Sequence, residues 1–83
     1  MNESKKQLAL KIAKNLKMIR AKKNVGKKRA QKISQKKLAE MSGVNISTIT
    51  GIESASYMPN IYTLVCIARA LDVELAELLE GVE

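Results

Sequence analysis

The sequence predicts an all-α fold of five helices, and three observations carry that prediction. Apolar residues recur every three or four positions over 7–23 and again over 61–71, which is helical spacing. The stretch 34–53, SQKKLAEMSGVNISTITGIE, reads as two short helices on either side of a glycine. No segment reads as a strand.

Taken in order, residues 1–6 are polar and are expected to fray. The first helix is expected over 7–23, with Leu8, Ile12, Leu16 and Ile19 set between lysines. Residues 24–32, NVGKKRAQK, follow, and Gly26 marks a break in them. They read either as a mobile solvated loop or as an extra phosphate-contacting arm. Ser34 is suited to cap the second helix, whose inward face is Leu38, Ala39 and Met41. Gly43 ends it, because glycine enters the left-handed region without steric cost. Val44 is an apolar plug, and Asn45 is expected to cap the third helix. There Ile49 and Ile52 share a buried side, leaving Ser47, Thr48, Thr50 and Gly51 to point elsewhere. Residues 54–58 form a loop, and Pro59 with Asn60 makes a helix entrance. The fourth helix, 61–71, carries Leu64, Ile67, Ala68 and Leu71 on one face. After a connector at Asp72 and Val73, the last helix is expected over 74–80, acidic where the macrodipole favours negative charge, with Gly81 as its stop.

With 83 residues the chain is expected to form a single domain over 1–83. Its 46% apolar content argues against disorder, and the near-absence of aromatics (Tyr57 and Tyr62 only) demands an aliphatic core. That scarcity also argues against folds that stack single-stranded bases on aromatic platforms. Cys66 reads as a small buried hydrophobe in a reducing cytoplasm, the expected location. The longest apolar run is 64–68, far short of a membrane span. With no His, one Cys and one Asp, the chain holds neither a catalytic constellation nor a metal-ligand set, so an enzyme, a metal and a cofactor are not expected.

Charge is sharply divided. Of the 15 Lys and Arg, 14 lie in residues 1–37 beside one acid, Glu3, whereas 38–83 hold Arg69 and seven acids. One surface is therefore expected to meet a polyanion, and another to face water or a protein.

Helix, glycine-containing turn and helix is the geometry of a DNA-reading helix-turn-helix. Ser34 and Gln35, Leu38 and Ala39, Gly43 and Val44, Ile49, Ile52 and Glu53, Pro59, Leu64, Ile67 and Ala68, Ala70 and Leu71, and Val73 together resemble the Cro and lambda-repressor, or Xre-like, family. The resemblance runs from Leu8 to Leu79 and implies a lambda-repressor-like fold. Family members join their first two helices by a short loop, so the basic 24–32 segment is an insertion of about eight residues.

By this resemblance the groove-facing positions are Asn45, Ile46, Ser47, Thr48, Thr50 and Gly51. Asn pairs with adenine, Ser and Thr bond several bases, and Ile46 can touch a thymine methyl. No long basic side chain stands on this helix, so sequence preference is expected to lean on A·T steps or DNA shape. Gly51 either permits a close backbone approach or is simply tolerated. Gln35 matches a phosphate-bonding position of the family, and Ser34, Lys36 and Lys32 add a helix N-terminus and charge beside it. Four to six neutralised phosphates would give a log–log salt slope of about −4 to −5. Arg20 and Glu53 are expected to form a structural ion pair. Ser54 and Ala55 stand where the family carries a basic residue and a glycine; Tyr57 or Asn60 is expected to supply a backbone contact instead, with Tyr57 as core the alternative.

The function expected is a sequence-specific regulator of transcription, a dimeric repressor or controller reading a pseudo-palindromic duplex. Leu75, Leu78, Leu79 and Val82 are its expected homodimer contact. Two rivals stand beside it. One is an antitoxin or coactivator-type adaptor binding a toxin or the transcription machinery; the other is a non-specific architectural nucleic-acid binder.

Overall fold

The structure is a computed structural model describing residues 4–82, and every regular element among them is helical. The helices are α1 (Lys5–Asn24), α2 (Gln35–Ser42), α3 (Ile46–Glu53), α4 (Ile61–Leu71) and α5 (Leu75–Leu78). A 3₁₀ turn, Arg29–Gln31, lies in the long connection between α1 and α2. The all-α, five-helix expectation holds.

The largest fully buried side chains are Leu16, Leu38, Ile49, Ile52, Ile67 and Leu78, and each of the five helices contributes to this set. Burying one such aliphatic side chain is worth roughly 1.5–3 kcal/mol. A smaller patch of Ala9, Ala13 and Ala55 lets α1 approach the turn after α3 closely.

Local chemistry explains most boundaries. α1 begins earlier than its apolar period implies. The Ser4 hydroxyl accepts from the Gln7 amide at 3.1 Å, while Gln7 Oε1 accepts from the Ser4 amide at 2.9 Å. This capping box makes Lys5 and Lys6 helical rather than frayed; residues 1–3 lie outside the described residues. Ser34 Oγ caps α2 by accepting from the Lys37 amide at 3.0 Å. Gly43, at φ +74°, closes α2, and the Gly43 and Val44 amides both donate to the Ala39 carbonyl. Met41 is not on the inward face; it is exposed. At about 100° per residue it sits roughly 110° from the line midway between Leu38 and Ala39, where Ser42 falls instead.

The end of α3 shows a non-glycine residue in a glycine's place. Ala55 has φ +59°, its amide donates to the Ile52 carbonyl, and the Ser56 amide donates to Gly51. A full left-handed cap thus forms without glycine, its methyl buried against Ala9 and Ala13. Asn60 Oδ1 caps α4 by accepting from the Thr63 amide at 2.8 Å. Cys66 is half-buried rather than enclosed in the core. Its thiol is hydrogen-bonded to the exposed Tyr62 hydroxyl, which holds the phenol above its ordinary pKa.

The last helix is a single turn, Leu75–Leu78, shorter than the expected 74–80. Its first backbone amide, at Glu74, donates to Glu77 Oε2 at 3.0 Å, so Glu74 caps the turn instead of lying within it. The dimer contact expected here is overturned at Leu78, which is 0% exposed and part of the common core. Leu75, Leu79 and Val82 are half-buried against that same core. The reason is docking by α1. Asn15 Nδ2 donates to the carbonyls of Leu78 and Glu80, both at 2.9 Å, and Lys11 Nζ donates to that of Gly81.

Candidate nucleic-acid interface

α3 buries Ile49, Ile52 and Glu53 and turns Ile46, Ser47, Thr50 and Ser54 outward. Its N-cap position is Asn45, whose backbone is extended but whose side chain makes no capping bond, against expectation. The carboxamide is exposed at the leading end of the helix.

One edge of this outward strip is wired to the body. Arg20 meets Glu53 as a bidentate pair, Nε to Oε2 and Nη2 to Oε1, both at 2.9 Å. Glu53 is only 5% exposed. Arg20 spends a third donor, Nη1, on the Ile33 carbonyl at 2.9 Å. Gln35 Nε2 also donates to Glu53 Oε1 at 2.9 Å. A carboxylate only accepts, so the amide nitrogen of Gln35 must face Glu53, leaving its oxygen to accept from Thr50 Oγ1 at 3.0 Å. A relay thus runs from α1 through buried Glu53 and Gln35 to a hydroxyl on the outward strip. Each side chain in it is held at two or more points except Thr50, so α3 and its Thr50 hydroxyl are positioned before any partner arrives.

The other edge is covered by Tyr57. Its hydroxyl donates to the Thr48 carbonyl at 3.3 Å, and its ring lies where a Cβ on Gly51 would project, 2.6 Å from that position. Gly51 does permit a close approach, but the approaching group is the protein's own tyrosine. Gly51 is therefore withdrawn from the base-facing set, and Thr48 is half-buried at the same edge. Tyr57 itself is exposed on the α3 surface and takes no place in the core. Asn60 spends its Oδ1 on the α4 cap.

Two residues border this surface that were expected only as part of the 54–58 loop. Ser54 continues the strip one turn beyond Thr50, and its hydroxyl pairs with that of Ser56 at 2.6 Å. Their signal was available: Ser54 follows Ser47 by seven residues, two helical turns on the same face.

Ser34 and Lys36 are exposed at the first turn of α2, next to Gln35, and Lys32 is exposed just before it. Among the described residues no helix is long and apolar enough to cross a membrane. Nor do three His, Cys, Asp or Glu side chains gather there where a metal ion could be held.

The helix-turn-helix family matches residues 16–78, a span that holds α2, α3 and α4, the Arg20–Glu53 pair and the insertion. The chain belongs to the Xre/Cro-like helix-turn-helix family. It is also similar to an uncharacterized HTH-type transcriptional regulator, y4dL, of Sinorhizobium fredii (strain NBRC 101917 / NGR234). The two are 46% identical over 46 residues, 55% of this chain and 24% of that protein. The chain thus aligns with about a quarter of this relative's length.

Proposed function

We propose that this chain is a regulator of transcription that binds double-stranded DNA by laying the outward strip of α3 in the major groove. The observation that carries the reading is the strip itself. Exposed Asn45, Ile46, Ser47 and Thr50 stand on a helix locked from behind by the buried Arg20–Glu53 pair. A helix positioned in advance, with Thr50 already held by Gln35, leaves less to be ordered on binding, which is what base readout in a groove requires. Family membership and the likeness to an HTH-type transcriptional regulator support the same reading. Ser34, Gln35 and Lys36 sit beside the strip, suited to phosphates that set register without specifying sequence. Hydroxyls and one carboxamide favour A·T-containing steps, by the adenine-pairing chemistry of Asn45 and the thymine-methyl contact open to Ile46.

One eight-residue helix spans few base pairs, so a twofold pair of chains on half-sites about 34–36 Å apart is the natural arrangement. Whether the regulated outcome is repression follows from where the site lies relative to a promoter.

The test begins with a duplex selected from a random pool by the full chain, then compares it with a scrambled competitor. Ser47→Glu with Thr50→Glu should bring the specificity ratio down to about one while circular dichroism stays unchanged, since both side chains are exposed. Undiminished preference for the selected duplex would sink the assignment of α3. Two chains per selected duplex in sedimentation are expected, and one chain per duplex would remove the dimer.

A further inference from the structure

We infer that the basic connection between α1 and α2 is a rigid second clamp on duplex DNA. It would grip backbone phosphates outside the base pairs read by α3 and lengthen the footprint without adding sequence preference. The inference rests on the reading of α3 only for its location; the charge contact itself needs no base readout.

The connection is closed at its base. Asn24, the last residue of α1, accepts from the Ile33 amide at 2.7 Å and donates to the Ile33 carbonyl at 3.1 Å. Ile33 is itself buried in the common core, and Arg20 holds the same carbonyl. Between these anchors the chain reverses at Gly26, φ +78°, and tightens into the 3₁₀ turn. Its lysines and arginine therefore project from a pinned knuckle rather than from a slack loop.

The knuckle and the first turn of α2 enclose a cleft of about 610 Å³. Arg29 and Lys32 of the knuckle and Lys36 and Lys37 of α2 line it, together with Ser34. Among the described residues these four cations have no hydrogen-bonding or ion-pair partner for their side chains, although Glu40 lines the same cleft. Four unpaired like charges converging on one concavity raise its positive potential and focus it on an anion.

The occupant follows from what the cleft offers. No aromatic side chain lines it, so it lacks both the stacking platform of a single-strand binder and the buried aromatic anchor of a protein interface. A duplex backbone, with one negative charge per roughly 1.7 Å of axis, suits a row of spaced cations. Position agrees as well. Ser34 and Lys36 face the cleft while Gln35, between them, bonds Thr50 on the outward strip. The cleft thus begins on the far side of one helical turn from the groove-facing residues, where the backbone flanking a docked half-site would run.

The experiment uses the full chain and a random-sequence DNA duplex of about three helical turns, titrated by fluorescence anisotropy over a range of salt. Arg29→Ala with Lys32→Ala should make the log affinity against log salt plot shallower by about 1.8, at roughly 0.9 per lost phosphate contact. The same loss should appear on a selected and on a scrambled duplex, leaving their ratio unchanged. Trimming the base pairs that flank the selected site should weaken the unmodified chain and leave the double variant unaffected. An unchanged slope, equal sensitivity of both proteins to trimming, or a slope change seen only with an RNA duplex would each overturn the clamp. Failure of α3 as the reader shows up separately, as indifference of the specificity ratio to the Ser47→Glu, Thr50→Glu change.

Discussion

The outward strip of α3 and the 25–32 knuckle are both exposed and only one helical turn of α2 apart, yet they are built on opposite principles. The strip carries no charge, and one edge is hydrogen-bonded into the body through Gln35 and Glu53. The knuckle carries Lys27, Lys28, Arg29 and Lys32, and the body holds it only at its two ends, by Asn24 and Ile33. The contrast matches the division between base readout and phosphate attraction. Readout needs donors and acceptors placed to within a hydrogen bond, so the helix that carries them is pinned from behind and Thr50 is held directly. Attraction to a polyanion tolerates imprecision, so charge suffices once the backbone beneath it is pinned.

Breaking the wiring should have the largest consequence. Glu53→Ala leaves the Arg20 guanidinium partly buried without its carboxylate and frees Gln35, which should cost about 3–5 kcal/mol in denaturant unfolding. A loss below about 1 kcal/mol would place the pair among ordinary surface bridges, too weak to pin α3 in advance.

The tether of the knuckle is the next test. Asn24→Ala removes both bonds to Ile33 and should cost about 1–3 kcal/mol, the usual range for unsatisfied buried groups. Hydrogen exchange at the Ile33 amide should accelerate, while the salt slope of duplex binding stays near its original value because no cation has been removed. A slope that fell with this change would mean the knuckle's rigidity, rather than its charge, governs the contact.

The smallest effect separates Tyr57 from the strip it borders. In Gly51→Ala the new Cβ would meet the Tyr57 ring, so the ring swings away and its bond to the Thr48 carbonyl is lost. Against this stands the helix-propensity gain of about 1 kcal/mol for alanine over glycine, so stability should change little. In a Tyr57→Ala background the same substitution should stabilise by about 1 kcal/mol, since nothing then opposes the gain. Equal effects in the two backgrounds would show that the ring is not held over Gly51.

Much of the fold was legible because its determinants are local. Ser34, Gly43 and Asn60 act where their side-chain chemistry or backbone freedom places them, and the bounds of α4 follow from an uninterrupted 3.6-residue period. Ser4 with Gln7 and Ile33 with Leu38 were also readable, as a capping box and as a hydrophobic residue set ahead of a cap; apolar periodicity alone passes over both. Errors arose at Leu78, whose fate depends on a distant element, and at Asn45 and Met41, where residue type outweighed local geometry. Leu78 looked available for a partner because the last helix carries more apolar surface than a small core needs, but Asn15 and Lys11 on α1 hold that turn on the core. Asn45 sits at a cap position and leaves the cap unmade. Met41 is apolar and faces water.

The sequence by itself determined the helical class, the caps at Ser34, Gly43 and Asn60, the aliphatic core and the confinement of positive charge to the N-terminal half, because each depends on residue type and near-neighbour spacing. Tertiary structure alone decided that Tyr57 lies over Gly51, that Gln35 turns its oxygen to Thr50, and that four cations share one cleft. Those facts come from turns and helix packing that set neighbouring elements against one another within hydrogen-bonding or contact distance, and no local period records such a meeting.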